Sequence, residues 1–256
     1  MKQPLSPLTP FVEGYVLPVD KPIGWTSSDV VRKVKVLLRR LGYRKIKIGH
    51  AGTLDPLASG VLLICIGRAT KTIESLQAEQ KEYLATFELG ATTPSYDREH
   101  PIDRTFPYEH ITEELVRQKI GEMIGEQMQL PPTFSAKMID GKRAYEYARQ
   151  GAEVEMKRAP ITIYGMEIES FELPRVTLRI RCSKGTYIRS IARDLGEALG
   201  SGAFLYTLCR TKNGNYTLED TYTLEQIEQA LFPDQEHYSF EQDPNKTHKR
   251  NIDRRF

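Results

Sequence analysis

Gly49-His50-Ala51-Gly52-Thr53-Leu54-Asp55-Pro56-Leu57-Ala58-Ser59-Gly60 runs directly into Val61-Leu62-Leu63-Ile64-Cys65-Ile66. The second stretch is a continuous apolar run of strand length, which predicts a buried strand. The first holds three glycines and a proline. That composition predicts a tight, stiff loop, because glycine permits positive φ while proline fixes its own φ and extends the residue before it. The residue before the proline is Asp55. A carboxylate on a constrained backbone beside a core strand is a common way to position a catalytic group. An Asx-type turn ahead of proline is the plainer alternative.

Working outward, residues 14–20 read as a short strand. The turn that follows ends in hydroxyls able to cap a helix over residues 29–41, and Gly42 closes it. Strand-like alternation recurs over residues 81–89, 175–182 and 203–210. Helical spacing recurs over residues 111–124, on from Ile188 to about Leu199, and over residues 224–231, where Thr223 and Gln226 form a candidate capping box. An Asp140-Gly141 turn and a short helix ending at Gly151 are also expected. This order favours one α+β (mixed α/β) domain around a central sheet over residues 1–232. Residues 1–13 are expected to be a loosely held lead-in, and residues 233–256 a polar, basic-ended, mobile tail.

The 256 residues are 39% hydrophobic and 27% charged, enough for a sizeable core. No apolar run has the length of a membrane-spanning helix, and no secretory signal is evident. Cys65, Cys182 and Cys209 lack paired metal-ligand spacing, and Cys65 and Cys182 lie in apolar or alternating strand-like runs, so buried reduced thiols and a cytoplasmic location are expected. The net charge of +2 does not by itself point to nucleic acid. Its distribution does: Arg32, Lys33, Lys35, Arg39, Arg40, Arg44, Lys45 and Lys47 share a stretch with no acidic residue. Such a stretch forms either a phosphate-facing patch or a solvated helix face.

The Asp55 loop resembles the Gly-His-x-Gly-x-Leu-Asp-Pro signature of tRNA pseudouridine-55 synthases, the TruB family. Four further segments resemble that family in order. They are Lys21-Pro22-Ile23-Gly24-Trp25-Thr26-Ser27, then Lys81-Glu82-Tyr83, and the middle motif from Leu130-Pro131-Pro132 through Ser135-Ala136-Lys137 to Gly141-Lys142-Arg143-Ala144-Tyr145-Glu146-Tyr147-Ala148-Arg149. The last is Ser183-Lys184-Gly185-Thr186-Tyr187-Ile188-Arg189-Ser190. Five ordered matches carry far less false-positive risk than one.

The resemblance implies a mostly antiparallel central sheet of the pseudouridine synthase type, flanked by helices. It implies an enzyme that isomerises a T-loop uridine of tRNA by breaking N1–C1′ and joining C5 to C1′, with no cofactor and no metal. The partner is the tRNA T-arm stem-loop; nothing demands an oligomer, so a monomer is expected. Asp55 is the implied nucleophile, paired with Arg189. Tyr83 would stack on the flipped uracil within the catalytic pocket. Tyr187 would contact the nucleotide, Leu208 of Leu-Cys-Arg would close the pocket, and His50 would fill the T-loop vacancy as a wedge. Lys21, from the opening motif, joins the substrate-binding set. Attack at C1′, addition at C6 and a glycal route all remain compatible with these residues.

Two departures stand out. Ala51 replaces the hydroxyl residue common after the histidine, and with about 25 residues after the last helix the additional C-terminal RNA-binding domain of many family members is not expected. The tail would then share phosphate contacts with residues 32–47. The competing reading is a module that opens and refolds the tRNA elbow without catalysis; it would have no need of Asp55 with Arg189.

Overall fold

The computed structural model describes residues 2–134, 138–139, 142–143 and 156–234. The expected Asp140-Gly141 turn, the helix ending at Gly151, most of the middle motif and the tail beyond residue 234 lie outside the described residues. Strand β1 (Tyr15–Lys21) leads into helix α1 (Ser27–Arg40). Local chemistry starts that helix: the Thr26 side chain accepts the Asp29 N–H, and the Asp29 carboxylate accepts the Thr26 N–H. Val30, Val34, Leu37 and Leu38 are buried along one stripe of α1, as their spacing predicts.

The chain continues through β2 (Ile48–Ala51), β3 (Ala58–Ile66), α2 (Ile73–Ala78) and β4 (Lys81–Leu89). A small ribbon follows, β5 (Ala91–Thr92) with β6 (Arg104–Thr105), then α3 (Glu113–Glu122) and β7 (Gly125–Gln129). Next come the paired β8 (Met138–Ile139) and β9 (Lys142–Arg143), then β10 (Ala159–Glu172) and β11 (Arg175–Cys182). Helix α4 (Ile188–Ala198), β12 (Ala203–Asn213), β13 (Tyr216–Thr217) and α5 (Leu224–Leu231) complete it.

Nine strands form one sheet in the order β1-β3-β12-β4-β11-β10-β7, with β2 added on β3 and β13 on β12. Among these described strands only β3 and β12 pair in parallel; every other pairing is antiparallel, so the expected sheet type is the one found. β3 is buried on both faces, as a continuous apolar run should be. Leu62, Ile64 and Ile66 enter the main core with α1, whereas Val61, Leu63 and Cys65 meet Ile73 and Leu76 of α2. β4 and β11 bury alternate residues only. Their other faces carry cross-strand pairs, Arg175–Glu88 and Arg179–Glu82 at 3.0 Å and the Thr86–Thr177 hydroxyls at 3.0 Å.

Three expectations need correction. The glycine-rich stretch is not all loop: residues 48–51 are strand, residues 58–60 open β3, and only residues 52–57 are irregular. Gly60, at φ 99°, sits inside the strand because a Cβ there would come within 2.3 Å of the Arg210 carbonyl oxygen. The lead-in is not loose. Phe11 is fully buried with its ring edge-on to Tyr15 and Tyr43, and Leu5 and Thr9 are buried too. The Tyr222 hydroxyl donates to the Gln3 carbonyl at 2.7 Å, strapping the segment across β1 toward α5. Finally, β7 and β10 were not anticipated. Pro160, Gly165 and two register shifts break the alternation of β10, so its strand character depends on pairing with β11 and β7.

Candidate active site

The Asp55 loop is rigid because its acceptors are consumed, all but one by neighbours distant in sequence. The carbonyls from Ala51 to Pro56 each receive a hydrogen bond: Ala51 from Asn213, Gly52 and Thr53 from Arg210, Leu54 from Ser27, Asp55 from the Ala58 N–H, and Pro56 from the Gly24 N–H. Ser27 grips the Leu54 peptide from both sides, since its hydroxyl also accepts the Leu54 N–H at 2.9 Å. Arg210 is 1% exposed and adds a 2.7 Å bond to the Val61 carbonyl. Buried polar groups require such partners, and here the partners fix a loop. What remains turned outward is the Asp55 carboxylate, 42% exposed.

That carboxylate meets Arg189, whose Nη2 lies 2.9 Å from Asp55 Oδ2. Arg189 is in the first turn of α4 and 6% exposed at its side chain. Its guanidinium also reaches the Phe134 carbonyl at 2.9 Å, the Ser95 carbonyl at 3.4 Å and Asp97 Oδ2 at 3.6 Å. Burial alone would disfavour its charge, but Asp55, then Asp97 and Glu99, outweigh that and hold its pKa above the ordinary arginine value.

Asp97 was missed by the sequence reading. It is 7% exposed and braced by Ser95, whose hydroxyl donates to Asp97 Oδ1 at 2.6 Å, and by the Glu99 N–H at 2.9 Å. The signal for it was the Ser-x-Asp turn chemistry within Thr93-Pro94-Ser95-Tyr96-Asp97. Arg210 and Ser27 were visible as motif members, but their grip on the loop was not.

The other expected residues divide. Tyr83 lies on β4, opposite Ile180 and Arg210, and is 8% exposed; burial raises its pKa, and Asp55 is among the charges acting on it. Leu208 is half-buried on β12 opposite Ala58, at the end of the Asp55 loop. His50 is half-buried on β2, and burial followed by the Arg210 charge lowers its pKa, so the ring is neutral at neutral pH. Tyr187 caps α4, with its backbone N–H and carbonyl both bound by the Gln129 side chain.

Lys21 does not sit where a nucleotide could reach it. It is 0% exposed, and its ammonium donates to the carbonyls of Pro22 at 3.0 Å, Trp25 at 2.7 Å and Pro56 at 3.5 Å. It therefore ties the opening motif to the Asp55 loop instead of contacting substrate. Burial pushes its pKa down to about 8, against the pull of Asp55.

The basic stretch also divides. Lys33 and Arg40 both pair with Glu228 of α5, at 2.8 and 2.6 Å, and Arg32 pairs with Asp29. Arg39, Arg44, Lys45 and Lys47 are exposed and form no ion pair among the described residues. The available cations thus gather at the end of α1 and the approach to β2. Among the described residues no group of three or more His, Cys, Asp or Glu side chains is placed to hold a metal ion, and no helix is long and apolar enough to cross a membrane.

Comparison with known proteins identifies the family. The family model for the TruB family pseudouridylate synthase N-terminal domain matches residues 39–188, and that for the tRNA pseudouridylate synthase B C-terminal domain matches residues 189–245. The boundary falls inside α4, and β12 beyond it lies between β3 and β4, so both matches contribute to one sheet. The chain is 54% identical to tRNA pseudouridine synthase B of Phocaeicola vulgatus, over 86% of this chain and 94% of that protein. It is 56% identical to that of Bacteroides thetaiotaomicron, over 82% of this chain and 90% of the relative.

Among solved structures, a Cbf5-Nop10-Gar1 complex aligns with TM-score 0.65 and 28% identity over 91% of this chain. An H/ACA RNP bound to a substrate RNA containing 2′-deoxyuridine aligns with TM-score 0.63 and 28% identity over 87% of it. This chain spans 61% and 55% of the length of those two chains. By the family model over residues 39–188 and by relatives more than half identical along most of its length, this chain belongs to the TruB family of pseudouridylate synthases.

Proposed function

We propose that this chain converts the T-loop uridine at tRNA position 55 to pseudouridine, with Asp55 as the reacting carboxylate. The observation that carries the assignment is a single outward-facing carboxylate, on a loop with every carbonyl from Ala51 to Pro56 occupied, paired at 2.9 Å with a buried arginine. Such a group is pre-aimed and charged, which a nucleophile needs and a purely structural aspartate does not. Arg189 holds it in place, and Asp97 holds Arg189.

The target must leave its stack, at a cost of a few kcal/mol. His50 acts as a neutral wedge that takes the base's place, Tyr83 and Leu208 line the pocket that receives the uracil, and Tyr187 flanks the nucleotide. Asp55 then promotes cleavage of N1–C1′. The uracil turns, C5 bonds to C1′, the C5 proton passes to solvent, and N1 takes one up, so atoms balance without a donor. Residues 1–232 act as one catalytic unit, monomeric and cytoplasmic, with Arg39, Arg44, Lys45 and Lys47 meeting phosphates of the T-arm.

The test is tritium release from tRNA transcripts labelled at uracil C5, for wild type, Asp55→Ala, and a transcript with the T-loop uridine replaced by cytidine. Release by wild type alone, abolished in both controls, is the expected result. Binding without release would transfer the assignment to an RNA-refolding module.

A further inference from the structure

Among the described residues every positive-φ position is a glycine except one: Tyr96, at φ 59°. A bulky residue in the left-handed region is an outlier that its surroundings must enforce. Its neighbours explain the need. The Ser95 carbonyl and the Asp97 carboxylate both face Arg189, while the Ser95 hydroxyl reaches Asp97 Oδ1 at 2.6 Å. In an extended chain, at about 3.3 Å per residue, residues 95 and 97 would stand too far apart for these contacts. The reversal at Tyr96 folds them onto one guanidinium.

Two sets of contacts hold the reversal. The Tyr96 N–H donates to the Thr93 carbonyl at 3.1 Å, and its carbonyl accepts the Leu205 N–H of β12 at 2.9 Å. Its ring faces Arg193, whose guanidinium carbon lies 5.2 Å from the ring centroid. Arg193 follows Arg189 by one turn of α4, so both project from the same side of the helix. One arginine takes the acceptors on either side of Tyr96, and the other takes its ring. Arg193 is itself fixed, donating to the Leu130 carbonyl at 3.2 Å and pairing with Asp194.

We infer that Tyr96 is a positioning residue: held left-handed between β12 and Arg193, it folds Ser95 and Asp97 onto Arg189 and thereby aims Asp55. The inference rests on the reading of Asp55 as the reacting carboxylate. It makes the left-handed backbone the essential property of position 96 and the ring over Arg193 a secondary brace.

The test compares Tyr96→Val, Tyr96→Gly, Tyr96→Phe and Asp55→Asn by tritium release, with kcat and KM resolved and urea midpoints recorded. Tyr96→Val, β-branched and averse to this φ, should lower kcat about ten- to a hundredfold with KM for tRNA nearly unchanged. Tyr96→Gly, which accepts the φ freely but lacks the ring, should recover most of that loss, and Tyr96→Phe, which keeps the ring and gives up the hydroxyl's contact with Arg193, should stay within about threefold of wild type. If Tyr96→Val does not fold, Tyr96→Ala takes its place in the comparison with glycine. Equal losses in Tyr96→Val and Tyr96→Gly, an unchanged kcat in Tyr96→Val, or a loss confined to KM would overturn the positioning role. An active Asp55→Asn enzyme would instead overturn the Asp55 reading beneath it.

Discussion

Replacing Arg189 by lysine keeps the buried charge and removes the fork. Four acceptors surround the guanidinium: Asp55 Oδ2 and the Phe134 carbonyl at 2.9 Å, the Ser95 carbonyl at 3.4 Å and Asp97 Oδ2 at 3.6 Å. A lysine ammonium is a single point with three donors, so it can follow Asp55 or the Ser95–Asp97 pair but cannot bridge them. One or two buried acceptors then lose their donor, each costing about 1–3 kcal/mol, so stability should fall by about 2–4 kcal/mol. The catalytic loss should be larger than charge alone would suggest. A carboxylate no longer aimed should cut the single-turnover rate about 10²–10³-fold. At 1.36 kcal/mol per decade that is about 2.7–4 kcal/mol of barrier. The assay is single-turnover tritium release with enzyme in excess, beside a urea unfolding curve of the same preparation. A folded Arg189→Lys enzyme within about threefold of the wild-type rate would refute the geometric account and leave only the charge.

Asp55→Asn should abolish isomerisation while changing stability by no more than about 1 kcal/mol, because its carboxylate is 42% exposed and its loop is held by backbone acceptors; urea midpoints and tritium release measure the two effects separately. Burial lowers Lys21 and Lys81 from 10.5 to about 8, so between about pH 8 and 10 the unfolded chain binds more protons than the folded one, and stability should rise with pH in that window. Lys21→Met should reduce that slope by up to one proton, and a slope unchanged in urea titrations across the window would show that Lys21 is not the source. Lys45→Ala with Lys47→Ala should lower the salt slope of tRNA binding by about one for each phosphate no longer neutralised, whereas Lys33→Ala should leave it alone and weaken the packing of α5 through Glu228. Equal slope changes from both sets, in filter binding at several salt concentrations, would contradict the division of the basic stretch.

Wherever a local rule suffices, the sequence alone determined the outcome. The stripe of α1 and the Thr223–Gln226 box of α5 depend on residues three or four apart, and the alternation of β4 and β11 on residues two apart. The motifs likewise marked Asp55 and Arg189 and implied their pairing, which the structure shows at 2.9 Å. The tertiary structure decided whatever depended on who stands opposite. β10 is a strand because β11 and β7 flank it, and residues 2–13 are fixed because Phe11 finds Tyr15 and Tyr43. Lys21, an exposed type by composition, is buried because three carbonyls converge on its ammonium.

Asp97 illustrates the same limit at the site itself. Nothing within a few residues of it reveals that Arg189, 92 positions away, will fill the space between it and Asp55. Periodicity and turn chemistry act over one turn or one pleat, whereas a hydrogen-bond acceptor is satisfied by whichever donor the folded sheet brings within about 3 Å of it.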